Sequence, residues 1–474
     1  MSMFTQSVKK APRLVPRFNI GCLFDIMTGD PVVGIKGETI INGGFHHLEG
    51  AAGEANSAKT GLSFFRGATV VSRYTLASMT VYDPETTLGR DRIIKQAKHI
   101  DPKLVETGIN ENGIPYEYTP RIELTTPAEY TGDEFYAAFK KYGEERPKLK
   151  ADYVYTPFQE DLTGLPLRIL PPQIAFIDSF SKFGTKATEA IQEKAGIGET
   201  GQNMLFMRDG LIKTQMMNEL PSLTIRNGLY FIMTAQIGEN KQLDPYSAPR
   251  QTLSFLKNNL KLKRVPDEYR YNVHNLLFNF AMRPLLNATT KAPEYPRDSS
   301  ENESKNDSDL QTIMVMNLRG KSGSSGKPIT IIYSQSEGVK ASLTEFHHIK
   351  EEGFGVTNKQ GNYTIDLMPD YKVGRTTIRQ ALETDVKLCN AVRIMSEMLQ
   401  ASNEWRFLPK EWLCTPKELY EDIKAKGYDW DELLNTRGYW TFDQYTHPVP
   451  FLSFIDLLKM RVGLYHPYWM ESKK

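Results

Sequence analysis

Gly53-Glu54-Ala55-Asn56-Ser57-Ala58-Lys59-Thr60 is the stretch on which the fold turns. It nearly fits the pattern G-x-x-x-x-G-K-[ST]. In that pattern successive backbone N–H groups curl around a phosphate, the lysine reaches the outer phosphates, and the hydroxyl ligates Mg²⁺. The setting suits it. An apolar stretch precedes the loop and a helical pattern follows over 61–74, so a helix N-terminus also favours an anion there. One position departs: Ala58 stands where the second glycine belongs, and its methyl is unfavourable wherever the loop needs a positive φ. Read alone, the loop leaves open a chance match in a glycine-containing turn.

Two further signals lie downstream. Residues 77–82 have the β-branched and apolar content of a strand, and Val81-Tyr82-Asp83-Pro84-Glu85 sets Glu85 just beyond it. Sheet α/β proteins bind ligands outside the carboxyl ends of their strands. A carboxylate there orients or deprotonates the water that attacks a phosphoryl group. Gln173–Ile177 is a short apolar run, as a doubly covered central strand reads, and it ends at Asp178, where an acid holds Mg²⁺ together with Thr60. Each acid taken singly reads equally as a solvated turn or a strand cap. In this order and sheet context the three signals make one nucleotide site.

Working outward, strand patterns at 121–126, 228–235, 312–318 and 329–333 alternate with helical patterns at 133–145 and 211–220. Residues 153–172 suggest a hairpin or irregular insertion. The alternation predicts an α/β core with a mostly parallel sheet flanked by helices. Residues 1–20 are basic and proline-containing and read as an extended arm, within an N-terminal arm and lead-in over 1–40. The core occupies 41–345. Within it the segment 297–309 (RDSSENESKNDSD) offers nothing to bury and reads as a flexible surface loop. Residues 346–474 change character and read as a separate, mainly helical domain. Residues 376–400 are helix-like, and Thr415-Pro416-Lys417-Glu418 is a capping box with proline at the first helical position.

Composition sets bounds without naming a function. The chain has 474 residues and a formal net charge of +1, so nucleic-acid binding would need its cations gathered locally. Cys22, Cys389 and Cys414 form no CxxC and read as reduced thiols. No apolar run is long enough to span a membrane, and the start lacks the apolar region of a signal peptide, so the expectation is a cytoplasmic protein. The pairs His46-His47 and His347-His348 lack neighbouring cysteines or a HExxH spacing, and read as loop or core histidines rather than metal ligands.

Taken together, the motifs resemble the RecA/UvsX family of strand-exchange ATPases, in a bacteriophage form. Gly21–Ile26 looks like the family's lead-in to the loop. Tyr82–Arg92 is similar to the segment carrying its catalytic glutamate, 176–179 to its Walker B strand, 231–236 to the strand ending in a γ-phosphate-sensing glutamine, and 315–338 to a β-hairpin near the end of the core. The resemblance covers roughly 19–353. It implies a RecA-like P-loop core that binds ATP and Mg²⁺ through Gly53, Glu54, Ala55, Asn56, Ser57, Ala58, Lys59 and Thr60, with Asp178 as the second metal ligand. Lys59, Glu85 and Gln236 become catalytic, with Arg319 and Lys321 reaching a neighbouring subunit's ATP. Single- and double-stranded DNA would contact loops near 186–203 and 238–269. The second of these gathers Lys257, Lys261, Lys263, Arg264 and Arg270 among Phe255, Tyr269 and Tyr271, a mix that suits single strands and equally a solvated basic face. The implied activity is DNA-dependent ATP hydrolysis by a filament that pairs and exchanges strands, aided by a loader or single-strand-binding protein. A hexameric replicative helicase and a non-catalytic nucleotide-binding scaffold are the competing expectations. Three features depart from the family: Ala58, the long span between Glu85 and Asp178, and a tryptophan-rich tail that matches none of its domains.

Overall fold

The computed structural model of the chain describes residues 14–149, 152–160, 163–186, 188, 190, 201–239, 253–256, 260–321, 325–359, 361–442, 444 and 449–470. Nine strands make the path of one central sheet. In chain order they are β1 (Leu48–Gly53), β2 (Ser78–Tyr82), β3 (Ile122–Thr125), β4 (Gln173–Ile177), β5 (Leu229–Glu239), β6 (Asn275–Asn279), β7 (Leu310–Gly320), β8 (Pro328–Ser334) and β9 (Gly338–Val339). Their spatial order is β9-β8-β7-β6-β1-β5-β4-β2-β3. From β3 to β6 every pairing is parallel. From β6 to β9 every pairing is antiparallel. The chain is therefore α/β with a large, mostly parallel sheet, and helices flank it on both sides.

Period-two alternation explains the two faces. Ile174 and Phe176 of β4 pack with Leu62, Phe65 and Val71 of helix α1 (Lys59–Arg73). Ala175 and Ile177 point the other way, toward Phe135 of α2 (Gly132–Glu145) and Met217 and Leu220 of α3 (Gly201–Asn227). Because both faces are covered, the run needs no polar alternation. The long span between β2 and β4 is filled by an antiparallel hairpin (Glu106–Ile109 with Pro115–Tyr118), β3, α2, and a second hairpin (Val154–Gln159 with Pro166–Ile169). The hairpin expected over 153–172 is thus present.

Three expectations are corrected. First, the arm expected over 1–20 is core from Phe18 onward, since Phe18 and Ile20 are fully buried. The reason is aromatic packing from far along the chain. Trp440 stacks on Phe18 at 5.4 Å, and its indole N–H donates to the Arg17 carbonyl at 3.1 Å. Second, the 297–309 loop lies mostly at the surface, as expected, but it holds a capped turn and a buried anchor. Asp298 caps a helical turn (Ser299–Glu303), and Asp309 accepts from Arg379 at 2.9 Å and Ser334 at 2.7 Å. A segment with nothing apolar to bury still orders when a buried guanidinium needs its carboxylates, and Arg379 is 3% exposed. Third, the boundary at 346 falls inside helix α4 (Ala341–Glu351). A continuous core runs from Leu310, Ile332 and Phe346 to Leu388, Met395, Leu433 and Phe454.

The tail opens with a three-stranded antiparallel sheet (Val356–Lys359, Asn362–Ile365, Met368–Gly374) and continues as helices. The helix expected over 376–400 breaks at Asp385, whose carboxylate accepts from Leu388 N at 3.1 Å and starts α5 (Val386–Glu404). The expected capping box opens the helix Pro416–Ala425. Among the described residues, no helix is long and apolar enough to cross a membrane.

Candidate functional site

β1 ends at Gly53, in register with Gln236 of β5 and Asn279 of β6. A side chain at Gly53 would collide with the Asn279 carbonyl and lie 2.7 Å from Ser57 Oγ, so close backbone approach demands glycine here. The loop is closed by Ser57 Oγ donating to the Glu54 carbonyl at 2.8 Å and by Asn279 Nδ2 donating to the Ser57 carbonyl at 3.0 Å. Ala58 adopts φ 51° and ψ 28°, the left-handed region, and caps α1. The glycine that the pattern wants at this position is thus a conformational need that alanine meets under strain. From there α1 begins, with first-turn N–H groups that a helix leaves unpaired.

The chemical groups converge at the carboxyl ends of adjacent strands. Lys59 Nζ donates to the Glu54 carbonyl and to Ser57 Oγ at 3.4 Å. Thr60 Oγ1 donates to one oxygen of Asp178, and Thr234 Oγ1 of β5 donates to the other. Glu85 Oε1 accepts from Ser179 Oγ at 2.6 Å and from Gln236 Nε2 at 2.9 Å. Asp83 is fully buried and accepts from Glu85 N at 3.0 Å and Leu88 N at 2.6 Å, which fixes the turn presenting Glu85. The Asp178–Ser179 peptide is cis.

Burial pushes the Asp178 carboxyl above its ordinary range, and the charges of Glu85 and Asp83 push it the same way, against the hydrogen bonds from Thr234 and Thr60. Burial lowers the Lys59 ammonium, opposed by Asp178, Glu85 and Glu54. Clustered carboxylates crowd one another and gain from a cation between them. Thr60 Oγ1 and Asp178 already lie side by side as hard oxygen donors, a pair that fits Mg²⁺.

The expected residues Lys59, Thr60, Glu85, Asp178 and Gln236 are therefore brought together. Arg319 and Lys321 are not. Gly320 pairs with Asn275, at the start of β6, and Asn275 pairs with Glu49, at the start of β1. That is the other end of the strands, roughly 13 Å along them from Gly53. Arg319 lies 5.5 Å from the centroid of the Tyr271 ring, and Lys321 Nζ donates to the Asn272 carbonyl at 3.1 Å.

Of the basic segment, Lys257 lies outside the described residues. Lys261 and Lys263 are exposed on and just beyond a short strand (Leu260–Leu262) that pairs antiparallel with the end of β5. Arg264 is exposed, and Arg270 pairs with Asp267 at 2.5 Å. Lys263 N donates to the Gln236 carbonyl at 2.8 Å, so this segment is hydrogen-bonded to the residue that touches Glu85. Most of the expected 186–203 loop lies outside the described residues.

Sequence reading missed Ser179, Thr234, Asn279 and Asp83. Ser179 and Thr234 adjoin motif residues and carry hydroxyls, a signal that was there to use. Asn279 ends a strand that carried no motif. No protein-family model matches the chain, and no curated protein matches it.

Proposed function

We propose that the chain is an ATP-dependent recombinase of the RecA class, which assembles on single-stranded DNA and pairs it with a duplex. One observation carries this reading: Lys59, Thr60, Glu85, Asp178 and Gln236 come from four neighbouring parallel strands to one end of the sheet, where Thr60 hydrogen-bonds to Asp178, and Glu85 to Gln236 and to Ser179 beside Asp178. Strand order and the three antiparallel strands beyond β6 are compatible with a RecA-like P-loop core.

In this reading the N-terminus of α1 and Lys59 hold the β- and γ-phosphates of ATP. Thr60 and Asp178 would hold Mg²⁺, which when bound neutralises charge on the transferred phosphoryl group. Glu85, positioned by Ser179 and Asp83, orients and deprotonates the attacking water. Gln236 donates to Glu85 through its side chain and accepts from Lys263 through its backbone, so nucleotide state at the crevice is transmitted to the basic DNA-facing segment. In this reading Arg319 and Lys321, at the other end of the strands, would serve a second copy's crevice rather than their own and stabilise developing charge there in trans.

Electron microscopy with ATP and single-stranded DNA tests this. Helical filaments that are lost in Lys59→Ala are expected. Closed rings would instead favour the replicative helicase reading, and no DNA-dependent assembly at all would overturn the proposal.

A further inference from the structure

A different cluster sits at the other end of the central strands from the crevice. His46 and His47 immediately precede β1, and His274 immediately precedes β6. Because β1 and β6 are neighbours, three imidazoles separated by more than two hundred residues of sequence meet. The His46 and His274 rings stack at 3.3 Å between centroids and 10° between planes. His47 lies 4.2 Å from His46 and 4.3 Å from His274, centroid to centroid. One nitrogen from each ring falls within 4.8 Å of the others.

The rings are held by their backbones. Phe231 N donates to the His47 carbonyl at 2.9 Å, His274 N to the Leu48 carbonyl at 2.8 Å, and Lys321 N to the His274 carbonyl at 3.0 Å. His46 and His47 are each 3% exposed. The Nδ1 atoms of His47 and His274 are buried with no hydrogen-bond partner. A buried imidazole nitrogen without a partner is costly, and two in one cluster ask for a shared ligand.

We propose that His46, His47 and His274 form a binding site for a divalent first-row transition metal of the zinc type. Three neutral imidazoles are a borderline-soft nitrogen set that suits Zn²⁺, Co²⁺ or Ni²⁺ and not Mg²⁺ or Ca²⁺. Burial disfavours the protonated form of all three rings. Bonds of about 2.1 Å in a tetrahedral site place ligand nitrogens roughly 3.4 Å apart, so ligation turns the His46 and His274 rings out of their parallel stack until their in-plane lone pairs converge on the ion. His46 Nδ1 accepts the His47 N–H at 2.8 Å, and His46 joins by exchanging that bond for the metal. Lys321 and Arg17 place positive charge near these rings, which opposes a bound cation, so the fourth ligand is an anion such as hydroxide that offsets it. The ion would fasten the starts of β1 and β6 and, through the His274 carbonyl, the backbone of Lys321.

The test uses the full chain, stripped with chelator and titrated with Co²⁺. One Co²⁺ per chain is expected, with visible bands of a four-coordinate nitrogen site, displaced by Zn²⁺. His274→Gln and His47→Gln should each weaken binding at least tenfold, while the control His347→Gln/His348→Gln binds as wild type. Absence of stoichiometric Co²⁺ binding by the wild type would overturn the site whatever the variants do. Equal binding by folded His274→Gln and His47→Gln proteins, or loss in the His347/His348 control, would overturn it as well.

Discussion

Ala58 concentrates the tension at the candidate site. It holds φ 51° in a loop whose pattern calls for glycine, and a left-handed residue with a side chain costs roughly 1–2 kcal/mol. Glycine loses part of that advantage through its freer unfolded chain. Ala58→Gly is expected to stabilise the protein by about 1 kcal/mol in urea unfolding. A loss of stability would mean that the methyl makes a compensating contact. The sequence exposed this residue because a positive φ leaves a glycine signature that an alanine breaks. It did not link Thr234 to Asp178: the hydroxyl stood beside the motif, but a threonine inside a hydrophobic strand does not name its distant partner. His274 escaped for the same reason, since its histidine partners lie far away in sequence.

At the scale of elements, legibility followed the strength of the apolar pattern. β4 and β5 are buried on both faces, and their runs could be read directly. The hairpin of Glu106–Ile109 and Pro115–Tyr118 is almost wholly exposed and shows no alternation to read. The tail's three-stranded sheet was likewise missed, since Val356–Lys359 is exposed beyond its first residue and Met368–Gly374 buries only Val373, which leaves no alternation to read. The helix Pro416–Ala425 was legible from its cap alone. Thr415 Oγ1 accepts from Glu418 N at 3.2 Å, and Glu418 accepts from Thr415 N at 2.7 Å. Thr415→Ala is expected to cost about 1 kcal/mol, seen as faster amide exchange in the first turn of that helix. Unchanged exchange there would show that packing of Leu419 and Ile423 alone sets the helix.

For the whole molecule, the N-terminal lead-in and the tail are joined through buried groups. Asp456, fully buried on the helix Phe454–Arg461, accepts from Thr39 N at 2.8 Å. Burial raises its carboxyl to about 7, against the Thr39 hydrogen bond and the Lys459 charge. The folded state therefore keeps a proton that the unfolded state releases near pH 4. That contribution is fully present below about pH 4 and is lost as pH rises toward 7, at up to roughly 1.4 kcal/mol per pH unit. The buried neutral histidines act in the opposite sense, destabilising the fold as pH falls below their unfolded value near 6.5. Comparing wild type with Asp456→Asn cancels their effect. Relative to wild type, the variant's Tm should rise steadily from pH 5 to pH 7.5. A pH-independent difference between the two would remove Asp456 from the account.

In the proposed function, one crevice couples nucleotide hydrolysis to DNA across the whole molecule. The most direct measurement is ATP hydrolysis by the full chain with and without single-stranded DNA, in wild type and in Glu85→Gln. A wild-type rate that rises with DNA is expected, with a Glu85→Gln rate lower by about a hundredfold or more and ATP binding retained. A wild type that hydrolyses no ATP under either condition, or a Glu85→Gln protein as fast as wild type, would contradict it.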